Sequence, residues 1–291
     1  MTALGAVIDR LQCPVCRGSL ALHGVAVECP AGHRFDVAKQ GYVTLLGGRR
    51  RFPGDDAAMV AAREAFLGRG HYAPLSAALA LALRDVDGLV VDLAGGTGHH
   101  LAQVLDSNPA LVGLVLDAST PALKRAARAH GRLATVGADV MAEHPLCDGA
   151  AAAILSVFGP RNVPEIQRVL APGGRLVVAT PTPRHLQELV ERFAGLGMVR
   201  VDPGKDARLA ASLGGFELTG ERVVEHRATM SRQDVRDEVF MGPSAHHVDP
   251  GALAVALEDW SEPGEVTVSV TVRSYRSLIS PAAVGLKPQE R

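Results

Sequence analysis

Three cysteines and a histidine near the start of the chain have the spacing of a metal site. The run Cys13-Pro-Val-Cys16 is followed by Cys29-Pro-Ala-Gly-His33, which gives the pattern C-x2-C-x12-C-x3-H. Zinc takes four thiolate or imidazole ligands in a tetrahedron, and each close pair can present two of them from one turn. A redox-active C-x-x-C pair is the alternative, but thioredoxin-like motifs lack the second pair. Because four protein ligands leave no position for a catalytic water, the sequence predicts one structural zinc held by Cys13, Cys16, Cys29 and His33.

A second stretch, residues 89–100, has the composition of a nucleotide-binding loop. A short apolar run, Leu89–Leu93, contains an acidic residue near its end and breaks into glycines at 95, 96 and 98 before a helical pattern begins. Glycine lets the backbone turn sharply and approach a ligand where a Cβ would clash. The order of strand, loop and helix therefore predicts a nucleotide-type cradle, with a purely structural turn as the alternative.

The spacing of the loop indicates which nucleotide derivative it holds. A dinucleotide fold requires the pattern G-x-G-x-x-G. If the pattern starts at Gly95, Thr97 replaces the second glycine, and if it starts at Gly96, Leu101 replaces the third. The pattern Asp92-x-Ala94-x-Gly96-x-Gly98 resembles instead the first motif of class I S-adenosylmethionine methyltransferases, D-x-G-x-G-x-G. Ala94 stands in place of the first glycine, which the turn tolerates if the φ angle of Ala94 stays negative.

Strand patterns alternate with helical patterns from residue 88 onward, which predicts a doubly wound parallel sheet. We therefore predict an α/β fold: a Rossmann-like class I methyltransferase domain with a seven-stranded, mostly parallel sheet, preceded by a small zinc ribbon. The predicted strands are residues 89–93, 111–116, 133–137, 150–156, 175–180, 217–228 and 266–275. The predicted division is a zinc module at 1–46, a helical connector at 47–87 and the methyltransferase domain at 88–291.

Acidic residues follow the second and third of these strands. Asp117, 25 positions after Asp92, is placed where a carboxylate can accept hydrogen bonds from both hydroxyls of a ribose. A helix cap is the alternative role, but Ser119 or Thr120 ahead of Pro121 suits that role better. Asp139 follows the third strand at a position suited to the amine of adenine. Both acids are predicted to face the cofactor.

Charge and composition limit the classes of partner. The formal net charge is −1, but residues 1–54 hold seven Arg or Lys against three acids, with Arg49–Arg51 in a glycine-flanked loop. This basic run could contact phosphates, although solvated surface is the alternative. No uncharged apolar run reaches the roughly 18 residues of a membrane span, and the N-terminus has no signal-peptide pattern. We therefore expect a cytoplasmic protein with no membrane partner.

The motifs taken together resemble the RlmA family of large-subunit rRNA (guanine-N1)-methyltransferases. Beyond the zinc ligands and the glycine loop, the resemblance rests on Phe35-Asp-x-Ala-Lys39-x-Gly41-Tyr-Val, Pro53-Gly-Asp55, Arg63-x-Ala-Phe-Leu67, Gly70-His-Tyr-x-Pro-Leu75 and Ala179-Thr-Pro-x-Pro-Arg-His-Leu-x-Glu-Leu189. The segment Phe158-Gly-Pro-Arg-Asn162 is similar to the branch found with macrolide producers, the TlrB-like enzymes.

The resemblance implies an enzyme that transfers a methyl group from S-adenosylmethionine to N1 of a guanine in a 23S rRNA hairpin, with macrolide resistance as a possible consequence. It also implies that Tyr72, Gly96, Thr97 and His185 contact the cofactor, that the zinc module helps to grip the RNA, and that the protein is a homodimer. The complete set of predicted cofactor-binding residues is Tyr72, Asp92, Ala94, Gly95, Gly96, Thr97, Gly98, Asp117, Asp139 and His185.

The general base cannot be chosen from the sequence. Guanine N1 carries a hydrogen and a delocalised lone pair, so attack on a methyl group needs a nearby proton acceptor, and a cation near O6 would help. Arg161 is a candidate for the cation. For any one histidine a structural role is the simpler interpretation. The candidate bases are His99, His100, His185, His246 and His247.

Two other functions are compatible with the same residues. One is a methyltransferase acting on a small molecule, because the fold does not fix the substrate. The zinc module argues against it, since small-molecule enzymes of this fold seldom need a basic, metal-stapled extension. The other is a zinc-dependent RNA-binding protein without turnover, which only the departure at Ala94 motivates.

Overall fold

The computed structural model describes residues 2–46 and 54–278 of the chain. The basic run Arg49–Arg51 and the polar C-terminal residues lie outside these ranges. No helix among the described residues combines the length and the apolar character that crossing a bilayer demands.

The N-terminal module is built on a small antiparallel sheet of β1 (Ala21–His23), β2 (Ala26–Glu28) and β3 (Arg34–Asp36). The apolar alternation across residues 20–27 predicts a hairpin at His23-Gly24, and this is confirmed: His23 pairs with Ala26, and Gly24 has a φ of 61°. Only glycine adopts that backbone region without a steric penalty. A further short strand, β4 (Val43–Thr44), leaves the module toward the rest of the chain.

Two helices follow, and then strands and helices alternate as predicted. The elements are α1 (Ala57–Gly68), α2 (Ala73–Ala82), β5 (Gly88–Leu93), α3 (His99–Ser107), β6 (Leu111–Asp117), α4 (Thr120–Ala126), β7 (Leu133–Gly137), β8 (Ala151–Val157), α5 (Val163–Val169), β9 (Leu170–Pro181), α6 (Gln187–Arg192), α7 (Lys205–Ser212), β10 (Phe216–Met230), α8 (Arg232–Met241), α9 (Pro250–Ala256) and β11 (Gly264–Ser277). Short 3-10 turns lie at Ile8–Arg10, Ala194–Leu196 and Pro243–His246.

The large sheet of the described chain has the order β10-β11-β9-β8-β5-β6-β7-β4. Its strands from β9 to β4 pair in parallel, whereas β11 is antiparallel to both of its neighbours. All seven predicted strands are present. Numbered in chain order they run 3-2-1-4-5-7-6, the arrangement of class I methyltransferases. The strand order reverses between β5 and β8, and ligands of such sheets bind beyond the carboxyl ends of the strands at this point.

Two details differ from the predicted sheet. An eighth strand joins it, because β4 of the N-terminal module pairs with β7 through Val43 and Val136. The fifth predicted strand begins earlier than residue 175, because Leu170 already pairs with Ala151 before the register shifts. Neither pairing could be read from local periodicity, since each depends on which segment lies alongside.

The core lies on both faces of the sheet, as a parallel sheet requires. On β5, Val90 packs in the apolar cluster with Leu75 and Leu79 of α2, whereas Val91 packs in the cluster on the opposite face. That second cluster includes Leu11 of the zinc module, which forms a bridge to Leu146. The zinc module is thus joined to the sheet by β4 and by shared apolar burial.

We expect Gly113→Val to destabilise the fold. Gly113 lies on β6 under α3, and a Cβ there would sit 2.8 Å from Leu105 Cδ1 and 3.0 Å from Leu101 Cδ2. Overpacking a core of this kind costs about 1–3 kcal/mol. Gly220→Val is the matched control, because the nearest atom to its added Cβ would be 4.0 Å away on the exposed strand β10. Urea unfolding of both variants measures the difference, and equal midpoints would contradict the packing described here.

Candidate functional site

The four predicted metal ligands come together. The ligand atoms of Cys13, Cys16, Cys29 and His33 all lie within 4.8 Å of one another. The Cys16 and Cys29 sulfurs are 3.6 Å apart, and His33 Nδ1 is 3.3 Å from the Cys29 sulfur and 3.6 Å from the Cys13 sulfur. Ligands at ordinary zinc distances in a tetrahedron are separated by about 3.4–3.8 Å. The residues present therefore fit one zinc ion.

The backbone around these cysteines is shaped to hold thiolates. The backbone of Gly18 hydrogen-bonds the Cys16 sulfur, and the backbone of Ala31 hydrogen-bonds the Cys29 sulfur. Arg17 occupies the left-handed region with a φ of 58°, which closes the turn after Cys16. Donors directed at sulfur favour its negative form, the form that binds metal. The turns are therefore suited to a closed structural site.

The predicted glycine loop joins β5 to α3. Gly96 and Gly98 have φ angles of 57° and 74°, and a Cβ at Gly95 would lie 2.7 Å from Asp92 Oδ2. The condition predicted for tolerance of Ala94 in the turn, a negative φ, is not met, because the φ of Ala94 is 54°. A left-handed non-glycine residue costs about 1–3 kcal/mol and persists where its surroundings hold it. Here the Ala94 N–H donates to Leu116 O on the adjacent strand at 2.8 Å.

Two buried carboxylates support this loop. Asp117 Oδ2 accepts from the Gly96 N–H at 2.9 Å, and Asp117 Oδ1 accepts from the Ser119 N–H at 2.7 Å. Burial, and then the nearby charge of Asp117, raise the pKa of Asp92 to about 8. Asp92 Oδ1 has no hydrogen-bond partner among the described residues. A cationic ligand beside Asp92 would stabilise its ionised form.

A cleft with a volume of about 780 Å³ opens above the loop, which is within the usual range of small-molecule sites. Nine of the ten predicted cofactor residues line it. Gly98 is the exception: it caps the start of α3, and a Cβ there would lie 3.2 Å from Leu133 Cδ1 and 3.3 Å from Ala126 Cβ. The glycine at position 98 is thus explained by its left-handed φ and by close packing against β7 and α4, and not by contact with a ligand.

Helix α1 closes one side of the cleft through Arg63, a residue to which the sequence analysis gave no role. Its guanidinium pairs with Asp55 and donates to Met241 O at 2.6 Å, and Nη1 would lie 3.0 Å from a Cβ at Gly96. Both Arg63 and Asp55 belong to the motifs that carry the family resemblance. The motifs indicated that Arg63 and Asp55 act together, but they did not indicate where in the fold the two residues lie.

A second cluster joins Tyr72, His185 and Glu238 across the cleft. The Tyr72 hydroxyl donates to Glu238 Oε1 at 3.1 Å and lies 3.2 Å from His185 Nε2. The segment before α2 is fixed to α8 by ion pairs of Arg69 with Asp234 and Asp237. Glu238 was not singled out from the sequence. A signal existed, because acids at 234, 237 and 238 share one face of a helix with buried valines.

The candidate bases predicted from the sequence differ in their position relative to the cleft and in their ionisation. Burial, helped by His99 and Arg63, lowers the pKa of His100 to about 3, and burial beside Lys205 lowers the pKa of His185 to about 4. Both rings are therefore neutral at physiological pH. His99 and His246 line the cleft, whereas His247 and Arg161 are not among its lining residues. The Arg161 guanidinium instead donates to Gly159 O at 3.0 Å.

The strand order, the glycine loop and the lined cleft define a class I S-adenosylmethionine-dependent methyltransferase fold, and the cysteine and histidine cluster defines a zinc ribbon beside it. Residues 11–50 match the RlmA N-terminal zinc-ribbon family. A Streptomyces fradiae 23S rRNA (guanine(748)-N1)-methyltransferase is 46% identical over 278 residues, which is 94% of this chain and 98% of that protein. A Micromonospora griseorubida protein provisionally named a 23S rRNA (guanine-N1)-methyltransferase is 49% identical over 294 residues, covering 94% of this chain and 99% of that protein. The chain belongs to the family of 23S rRNA (guanine-N1)-methyltransferases.

We expect Cys16→Ser to lose the bound zinc, because three ligands do not complete the tetrahedron. Cys147→Ser is the matched control, since Cys147 is the free cysteine outside the cluster among the described residues. Elemental analysis of both purified variants gives the zinc content directly. Wild-type protein without stoichiometric zinc would refute the assignment.

Proposed function

We propose that this protein transfers a methyl group from S-adenosylmethionine to N1 of a guanine in a 23S rRNA hairpin. The observation that carries the proposal is the 46% identity to the Streptomyces fradiae enzyme over 94% of this chain and 98% of that protein. No described feature favours a small-molecule substrate over RNA.

The cofactor would occupy the cleft above the glycine loop. We assign the ribose hydroxyls to Asp117, whose oxygens each accept one backbone hydrogen bond and retain the capacity for another. Gly95, Gly96 and Thr97 would approach the cofactor through the loop, with Asp139 at the adenine. Asp92 and the aromatic residue Tyr72 would lie toward its charged end. S-adenosylmethionine supplies an electrophilic methyl group on a positively charged sulfur, and the chain has to align the base and exclude water.

The RNA would contact the zinc module and the cap formed by residues 230–260. The N-terminal 54 residues carry the excess of basic charge, and phosphate contacts position a nucleic acid without reading its sequence. A guanine whose N1 is to react must be unpaired, because N1 lies inside the base pair of a duplex. We propose that the module grips the hairpin backbone while a splayed-out loop guanine enters the cleft.

Three further proposals follow from the resemblance. The methylated guanine would protect the ribosome from a macrolide, and the protein would act in the cytoplasm. The protein would also assemble as a homodimer. Each chain of the dimer would consist of a zinc module and a methyltransferase domain, linked by residues 47–87. Drug susceptibility with and without the gene and light scattering of the purified protein measure the first and third of these.

We expect Asp117→Ala to weaken S-adenosylmethionine binding by roughly 1–3 kcal/mol, the range for a lost hydrogen bond to a buried charged group. Asp106→Ala is the matched control, because the Asp106 side chain is 65% exposed and lies outside the cleft. Calorimetric titration measures both affinities, and a thermal melt checks that the loop still folds. Equal affinities in wild type and Asp117→Ala would remove Asp117 from the cofactor site.

The function itself is tested in cells. We expect 23S rRNA from cells with the gene to carry one N1-methylguanine that is missing from cells without it, at the position equivalent to the guanine 748 named for the Streptomyces fradiae relative. Mass mapping locates the nucleotide, and primer extension stops there because N1 methylation blocks pairing. Complementation with wild type and with Asp117→Ala provides the positive and negative controls. Methyl transfer to free guanosine or an antibiotic, with unchanged rRNA, would favour a small-molecule enzyme.

A further inference from the structure

The proposed reaction requires a proton acceptor at the target base. The Watson–Crick edge of guanine presents N1–H and the N2 amino group as neighbouring donors, and N1 has no free lone pair until its hydrogen leaves. The group that accepts this hydrogen must lie in the cleft and must have an unused acceptor atom. Identifying it rests on the proposed function, because a different substrate would need a different acceptor.

Glu238 on α8 meets both requirements. Its side chain lines the cleft, and the residue is only 7% exposed. Oε1 accepts from the Tyr72 hydroxyl, but Oε2 has no hydrogen-bond partner in the part of the chain that the structure describes. A buried carboxylate oxygen without a donor is unfavourable, and a ligand with an N–H group would relieve this. Glu238 Oε2 is thus an acceptor atom in the cleft that is available to an N–H group of a ligand.

The hydrogen bonds behind Glu238 have a fixed direction. The Ser269 N–H donates to His185 Nδ1 at 3.3 Å, so that nitrogen is an acceptor and the neutral ring carries its hydrogen on Nε2. Nε2–H then donates to the Tyr72 oxygen, and the Tyr72 hydroxyl donates to Glu238 Oε1. Every donor in this chain of hydrogen bonds points toward the carboxylate. Glu238 is therefore oriented as an acceptor.

A stacking surface lies beside this cluster. Phe158 follows β8, lines the cleft and is 37% exposed, so part of its apolar ring is accessible to a ligand. Its ring stacks on that of His185 at 5.9 Å and lies 6.2 Å from that of Tyr72. Unstacked RNA bases are bound on aromatic faces of this kind. Phe158 has a left-handed φ of 58°, a conformation that persists where surrounding contacts hold it.

We propose that Glu238 is the catalytic base, and that its Oε2 accepts the N1 hydrogen of a guanine stacked against Phe158. The N1 proton would pass to Glu238 Oε2, and the electron pair freed on N1 would bond to the methyl carbon while the bond from that carbon to sulfur breaks with its electron pair left on sulfur. Glu238 would then release the proton to solvent when the product leaves. Because a carboxylate can accept from N1–H and N2–H together, the same residue would select guanine over adenine, which has no N1 hydrogen.

The ionisation of Glu238 agrees with this role. Burial raises its pKa to about 7, while the Tyr72 hydroxyl and the charge of Arg63 oppose the rise. The accepting, ionised form is therefore lost as the pH falls below about 7. Other titratable and charged groups line the same cleft or bond to its walls in the described chain: Asp55, Arg69, His71, Asp92, His99, His100, Asp117, Asp139, His185, Arg200, Asp202, Lys205, His226, Asp234, Asp237 and His246.

Two of the candidate bases from the sequence, His100 and His185, are already engaged. His100 Nδ1 bonds to the Ser76 hydroxyl at 2.8 Å, and both ring nitrogens of His185 belong to the chain of hydrogen bonds that ends on Glu238. Asp92 lies below the glycine loop beside Asp117, where we place the cofactor. Glu238 is the buried carboxylate of the described cleft that adjoins the aromatic cluster.

Glu238→Gln tests the proposal, because it keeps the shape and the bond from Tyr72 but cannot take up the proton. In single-turnover reactions with S-adenosylmethionine and 23S rRNA from cells lacking the gene, we expect the rate to fall at least about 100-fold. The affinities for cofactor, by calorimetry, and for RNA, by filter binding, should stay unchanged. Glu217→Gln is the matched control, since it makes the same change at an exposed residue of β10, outside the cleft and outside the proposed RNA contacts.

The pH profile separates a base from a residue that only positions others. The wild-type rate should rise with pH and level off above about 7, the Glu238→Gln rate should be low and flat, and Glu238→Asp should retain the rise at a lower rate. A Glu238→Gln variant with wild-type rate and profile would overturn the proposal. So would a loss confined to cofactor or RNA affinity. Wild-type protein that binds cofactor but never methylates 23S rRNA would overturn the proposed function itself.

Discussion

The carboxylate of Asp117 joins three separate parts of the chain at the floor of the cleft. It accepts hydrogen bonds from Gly96 in the glycine loop and from Ser119 at the start of α4, while the Ser119 hydroxyl donates to Asp55 O in the connector at 2.6 Å. Buried backbone donors that lose their acceptor are strongly unfavourable. These hydrogen bonds therefore fix the glycine loop, α4 and the connector relative to one another. They can form only because β5 and β6 end side by side.

The walls of the cleft depend on ion pairs between segments that are distant in sequence. Arg69 after α1 pairs with Asp234 and Asp237 of α8, and His71 Nε2 lies 2.9 Å from Asp234 Oδ1. Although burial alone would raise it, hydrogen bonds from Ser231, His71 and Arg69 lower the pKa of Asp234 to about 2. Asp234 therefore stays ionised at physiological pH. The ion pairs of Arg69 with Asp234 and Asp237, here called the clamp, bring Tyr72 to Glu238. The clamp thereby keeps the carboxylate of Glu238, whose burial is otherwise unfavourable, in place.

Backbone strain is concentrated at the same site. Across residues 2–46 and 54–278, four non-glycine residues have clearly positive φ angles, and three of them, Ala94, Phe158 and Leu186, line the cleft. The fourth is Arg17 in the zinc turn. Strained residues persist where surrounding contacts over-determine them. Each of the three follows or adjoins a strand of the sheet, so the rigid sheet supplies the contacts that hold the loops in these conformations.

The sequence by itself determined the features whose information is local. The zinc ligands, the hairpin at His23-Gly24, the glycine loop and the alternating strands depend on spacings of a few residues, and short-range geometry fixes them. The tertiary structure decided the rest. The φ of Ala94 depends on a hydrogen bond to a neighbouring strand, the pairing of β4 depends on which edge is open, and Tyr72 meets Glu238 across 166 positions of sequence. A hydrogen bond between such distant residues leaves no periodic pattern in either segment, because only the folded sheet and the clamp bring them within reach.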